Sequence, residues 1–169
     1  MKKNKFVVRY RAFFLVATLF SGVLLSCAEK EEDLLKPKTI TDIILQNDQF
    51  SILREIIKGI GMQDALRTGD ITLLAPNDAA FRRSGITAST IISLRRDSAV
   101  SFVNYHILKD YKKFSDLKSG NVAALNNRVL VVRRTGDSTV TVNGALITIK
   151  NFKADNGVIH VVDNVLTKK

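Results

Sequence analysis

The chain has 169 residues, 46% hydrophobic and 25% charged, with a single cysteine, which excludes a fold held by internal disulfides. Its formal charge of +10 includes five cations from the first 26 residues, and the remaining 21 basic and 16 acidic residues leave +5. That excess is modest and scattered, and beyond residue 27 there are only two Tyr and five Phe, so clustered cations and stacking platforms for nucleic acid are both missing.

Lys2, Lys3, Lys5, Arg9 and Arg11 precede an uninterrupted run of apolar and small residues from Ala12 to Leu25. This is the basic and then apolar plan of a secretory signal. The run is 14 residues, short of the about 20 needed to span a membrane. Leu24-Leu25-Ser26-Cys27 resembles the lipobox of bacterial lipoproteins. The resemblance implies acylation of the Cys27 thiol and cleavage before it, with small Ser26 beside the scissile bond. Residues 1–26 are therefore expected to be a signal peptide, and Cys27 a lipid anchor in the outer membrane. Multiple acyl chains hold a protein firmly, at about 0.8 kcal/mol per buried CH₂.

Residues 27–38 are polar, charged and without a helical stripe, and read as a tether. The acidic run around Lys30-Glu31-Glu32 resembles an export signal to the outer face of the outer membrane in some Gram-negative groups. The surface and the periplasmic face both stay open. Ala28 after Cys27, rather than Asp, argues against retention in the inner membrane.

One domain is expected over residues 39–169, which is ample for its own core. Ile43, Ile44, Phe50, Leu53, Ile56, Ile57 and Ile60 recur at helical spacing. Gln46-Asn47-Asp48-Gln49 breaks that stripe, and Gly59 and Gly61 end it. Met62 to Leu66 supplies one further turn, and Ile71 to Ala75 reads as a buried strand stopped by Pro76. Thr87 is expected to cap a helix through Leu94, and Asp97 another through Leu108.

Beyond residue 110 the period changes to two. Arg128 to Arg134, Thr139 to Val142, Leu146 to Phe152 and Val158 to Val162 read as short strands. Asn126-Asn127, Gly136-Asp137, Asn143-Gly144 and Asn156-Gly157 supply turns between them. Helices followed by antiparallel strands make an α+β domain.

Three ordered segments carry a family likeness. Thr72-Leu73-Leu74-Ala75-Pro76-Asn77-Asp78-Ala79-Ala80-Phe81 resembles the first signature of the fasciclin domain. Asn104-Tyr105-His106-Ile107-Leu108 resembles its Tyr-His motif, and Asn156-Gly157 through Leu166 its second signature, preceded by Val142-Asn143-Gly144-Ala145. Leu74 and Asn77 depart mildly from the pattern. The resemblance covers about residues 39–167. It implies a β-sheet wedge or sandwich with several helices packed on one side, and a non-catalytic adhesion or binding role.

His106 and His160 are the only histidines, too few for a metal site without cysteine support. His160 is expected to bond a neighbouring loop. His106 is expected to end a helix, where a cationic ring suits the dipole. Asn77 and Asp78 are expected to cap a short helix through Phe81. The resemblance links that segment and the Tyr-His motif to receptor binding, so Asn77, Asp78, Tyr105 and His106 are candidate contact residues, with Asp163 a further one. No G-x-S-x-G, H-E-x-x-H or P-loop pattern occurs, and Glu55 is the only glutamate in the domain, which leaves a paired-carboxylate glycosidase without support. Neither metal nor cofactor is expected.

The expectation is a monomeric envelope lipoprotein that binds a protein or polysaccharide without catalysis. The alternative is an accessory subunit of an outer-membrane assembly such as a nutrient-uptake complex.

Overall fold

The structure, a computed structural model, describes residues 38–167. The leader, Cys27 and the tether up to Pro37 lie outside the described residues. Helices α1 (Ile40–Gln46) and α2 (Ser51–Gly59) come first, separated by a 3-10 turn at Asp48–Phe50. Asn47 makes the break: its backbone is extended, and its side chain accepts from the Gln49 N–H. Thr39 and Asp42 form a capping box at the start of α1. At the end of α2, the Gly61 N–H reaches Lys58 O and the Met62 N–H reaches Ile57 O, a Schellman closure that needs the left-handed φ of +68° at Gly61.

Strand β1 (Ile71–Pro76) is followed by three short helices: α3 (Asp78–Ser84), α4 (Ala88–Ile92) and α5 (Arg96–Asn104). The remaining strands are β2 (Ile107–Leu108), β3 (Gly120–Ala123), β4 (Val129–Thr135), β5 (Thr139–Val142), β6 (Ala145–Ala154) and β7 (Gly157–Val162). They form one seven-stranded sheet in the order β2-β1-β7-β6-β5-β4-β3. Its two outer strands come back together: Leu108 bridges Ala124, and the Leu125 N–H reaches Ile107 O at 2.7 Å. The sheet is thus curled almost into a barrel, which removes most of its exposed edges.

Curling divides the apolar residues into two cores. Leu73, Ala75, Ile159 and Val161 face the helices and pack with Ile44, Phe50, Ile56, Ile57 and Phe81. Leu74 and Val162 face the inside of the curl, with Leu108, Leu130, Val132, Val140, Val142 and Leu166. β1 and β7, second and third in the strand order, run parallel, and both are buried along their whole length. Being covered on both faces is why they read as unbroken apolar runs, while β4 and β5 alternate.

The α+β reading holds, with several boundaries corrected. The helix expected through Leu108 stops at Asn104, because Ile107 and Leu108 pair instead with Leu73 and Thr72 of β1. Arg95 holds the N-cap position of that helix without a side-chain capping bond, and Asp97 lies inside its first turn. α4 ends at Ile92 rather than Leu94, and α3 continues past Phe81 to Ser84. Arg134, unlike its exposed neighbour Arg133, turns its guanidinium back to the carbonyls of Phe114 and Leu117, 4.8 Å above the Phe114 ring.

Candidate functional site

Period-two alternation in β4 sends Leu130 and Val132 into the second core, and Val129, Val131 and Arg133 to the opposite face. Among the described residues no helix covers that outer face: Val129 is 55% and Val131 40% exposed. With Thr141 of β5 and the Asn143-Gly144 turn, they line an open groove of about 470 Å³. Arg128 and Arg133 flank it, and none of its lining residues is acidic.

Tyr105 fixes one wall of the groove. Its ring is buried in the second core, and its hydroxyl donates to Val129 O at 3.2 Å and accepts from Asn143 Nδ2 at 2.8 Å. Asn143 is held as well: its Oδ1 accepts the Val131 N–H at 2.8 Å, and its own N–H donates to Val131 O at 2.9 Å. Asn143 tolerates its left-handed φ of 51° as few other side chains do, and so suits the turn into β6. The groove wall is therefore set by hydrogen bonds between α5, β4 and the β5–β6 turn.

The other candidates lie around the end of β1 but aim elsewhere. Asn77 caps α3, its side chain accepting from the Ala80 N–H at 2.9 Å. Asp78 serves a different helix: its carboxylate accepts from Ser51 Oγ at 2.5 Å and from the Ile52 N–H at 2.9 Å, at the start of α2. Asp163 follows β7 and accepts the Leu146 N–H at 2.7 Å, with Arg83 3.5 Å away. Only Tyr105 of the five reaches the groove.

His106 is buried, and both its ring nitrogens are used. Nδ1 lies 2.9 Å from Phe102 O, while Nε2 is 3.0 Å from the Leu166 N–H. A backbone amide can only donate, so Nε2 is the acceptor and Nδ1 carries the proton. Burial pushes the ring's pKa down to about 4, although the Phe102 carbonyl favours the charged form. The expected cationic ring at a helix end is thus corrected to a neutral, buried one.

His160 uses the opposite tautomer. Its Nδ1 accepts the Asn151 N–H at 3.1 Å, and its Nε2 donates to Lys112 O at 3.0 Å. Burial lowers its pKa too. It holds the loop before the 3-10 turn Phe114–Asp116 against β6, as the loop-bonding expectation required. Asp42 sits in its capping box, where the Thr39 hydroxyl bond holds its carboxyl below the usual range. Both histidine rings and these carboxylates are thus occupied in holding backbone, and what the outer face offers is contact area.

Of the groove residues, Arg128, Val129, Val131, Arg133, Thr141 and Asn143 were not foreseen as functional. Alternation places Val129, Val131 and Arg133 together. It does not say which face of β4 the rest of the chain would cover.

Comparison with known proteins agrees with this architecture. The family model for the fasciclin domain matches residues 48–168. Protein sll1483 from Synechocystis is 31% identical over 131 residues, covering 76% of this chain and 72% of that protein. The transforming growth factor-beta-induced protein ig-h3 of Sus scrofa is 34% identical over 132 residues, but the chain spans only 19% of its length. Among solved structures, a FAS1 domain pair from the insect cell adhesion molecule Fasciclin I superposes with a TM-score of 0.61 at 15% identity, over 78% of this chain and 51% of that one.

Proposed function

The chain belongs to the fasciclin-domain family, and from that premise we propose that it is a non-catalytic recognition module of the cell envelope. The observation that carries the reading is the groove on the outer face of β4 and β5. It combines exposed valines with arginines on a wall pinned by Tyr105 and Asn143. Rigid, partly apolar surface of this kind favours binding, since little ordering entropy is lost on contact. The similarity to a protein described as an insect cell adhesion molecule supports the same class of role.

The leader and Cys27 support an address: a lipid anchor would hold the domain at the outer membrane. Contact would then be made by copies sharing one surface, which raises the effective concentration for a clustered partner.

The test is a photo-crosslinking amino acid placed at Val131 in intact cells, with Leu94 as an exposed control away from the groove. The expected result is a discrete adduct from position 131 that position 94 does not give. No adduct at 131, or equal labelling at both positions, would remove the groove from the reading. An adduct to an outer-membrane transporter would reassign the domain as an accessory subunit.

A further inference from the structure

We infer that the groove receives an extended acidic polypeptide segment in which apolar side chains separate the carboxylates. This rests on the groove being the contact face and adds the chemistry of its partner.

The argument begins with charge. From Leu117 to Gly136 the sequence has no acidic residue, while it holds Lys118, Arg128, Arg133 and Arg134. Arg134 is spent on the carbonyls of Phe114 and Leu117. Arg128 and Arg133 stand at the groove, and neither meets a carboxylate within 4.0 Å among the described residues. Two guanidinium groups at one groove, both free of internal carboxylates, are able to take carboxylates arriving from outside in a two-pronged geometry.

Spacing then limits the shape of the partner. Arg128 and Arg133 are five residues apart along an extended stretch, or about 17 Å at the rise of a strand. Val129 and Val131 lie between them, on the outer face of β4 that Arg133 shares, and Arg128 lines the same groove from just before the strand. A ligand that satisfies all four is elongated, anionic at both ends of that span and apolar in the middle. An extended peptide with acids several residues apart and Val, Leu or Ile between them has this form.

The floor decides between a polypeptide and an acidic polysaccharide. Sugar rings want an exposed aromatic face and many hydrogen-bond partners. Here the one aromatic, Tyr105, is only 6% exposed and its hydroxyl is already paired at Val129 and Asn143. Valine methyls offer a polysaccharide nothing in return for its hydroxyls' lost water. They match aliphatic side chains directly. A second copy of this face is disfavoured by its own like charges.

Residues 38–167 contain both cores and the whole sheet, so the leaderless chain 28–169 is suitable for the test. Binding is followed by fluorescence anisotropy with a labelled ten-residue peptide that has Glu at positions 2 and 8, Val at positions 4 and 6 and Ser elsewhere, which puts all four on one face of an extended chain. Comparison probes are its Lys-for-Glu counterpart, polygalacturonate, and vesicles of phosphatidylglycerol. The Glu peptide should bind at least about tenfold more tightly than the Lys peptide and weaken steeply with added salt. Arg128→Gln with Arg133→Gln should cost about tenfold or more, and Val131→Asp should do the same, with circular dichroism unchanged. Equal binding of the two peptides, an unchanged affinity in the double Arg variant, or binding of polygalacturonate or vesicles alone would overturn the inference. If position 131 crosslinks in cells while the double Arg variant captures the same adduct undiminished, the groove stands and the acidic partner falls.

Discussion

His106 Nε2 accepts the backbone N–H of Leu166 at 3.0 Å, joining the start of β2 to the segment beyond β7 across sixty residues of chain. The bond exists only while the ring is neutral, because protonation would set two donors against each other. Folding therefore depends on keeping a proton off this nitrogen.

The pH dependence follows from that relationship. His106 titrates near 6.5 when unfolded and near 4 when folded, so between those values the unfolded chain binds more protons. Its contribution is fully present above pH 6.5 and is lost as pH falls toward 4. The total lost is of the order of 3 kcal/mol. His160 acts in the same direction. Urea unfolding at pH 7.5 and 5 should show a lower midpoint at pH 5, and His106→Gln should shrink the difference.

Gly157 is the tightest point of the sheet. Its φ is +150°, and a Cβ there would lie 2.1 Å from Ile71 O in the neighbouring parallel strand. Neither backbone can yield without breaking the β1–β7 ladder. Gly157→Ala should cost more than about 3 kcal/mol, read as a large fall in the urea midpoint or failure to fold. Gly136→Ala, also at positive φ but with nothing within 4 Å, should cost less.

Asp78 and Asn77 should behave as caps of two different helices. Asp78→Ala leaves the Ile52 N–H and the Ser51 hydroxyl without their acceptor and should cost about 1–2 kcal/mol. Asn77→Ala should cost about 1 kcal/mol at the start of α3. Thermal denaturation measures both. If both effects are independent, the double variant should equal their sum.

Tyr105→Phe removes the hydroxyl shared by Val129 O and Asn143 Nδ2, at a cost of about 1 kcal/mol. Amide hydrogen exchange should speed up at Asn143 and Val131 more than at Val140, on the neighbouring strand β5.

The anchor has its own test. Cells fed a labelled fatty acid should incorporate it into the wild-type chain and not into Cys27→Ala. Label persisting in Cys27→Ala would remove the lipid address proposed for this domain.

Features that depend on neighbours a few residues apart were legible in the sequence. The break at Asn47, the stop at Gly61, the caps at Asn77 and Thr87 and the turns at Asn143-Gly144 and Asn156-Gly157 are all of this kind. Alternation along β4 and β5 was legible too, because it needs only one strand. What required the tertiary structure were partners far along the chain. β2 is a strand only because β1 lies beside it, and on its own it continues a helical pattern. Asp78 could not be assigned to α2, 26 residues upstream, from its local sequence. The charge of His106 followed from burial, which no spacing reports. The groove is the sharpest case: alternation paired Val129 with Val131, but exposure was decided by where the helices packed. They cover the β1–β7 face and leave that of β4 open, so an ordinary strand became the surface to which function is proposed.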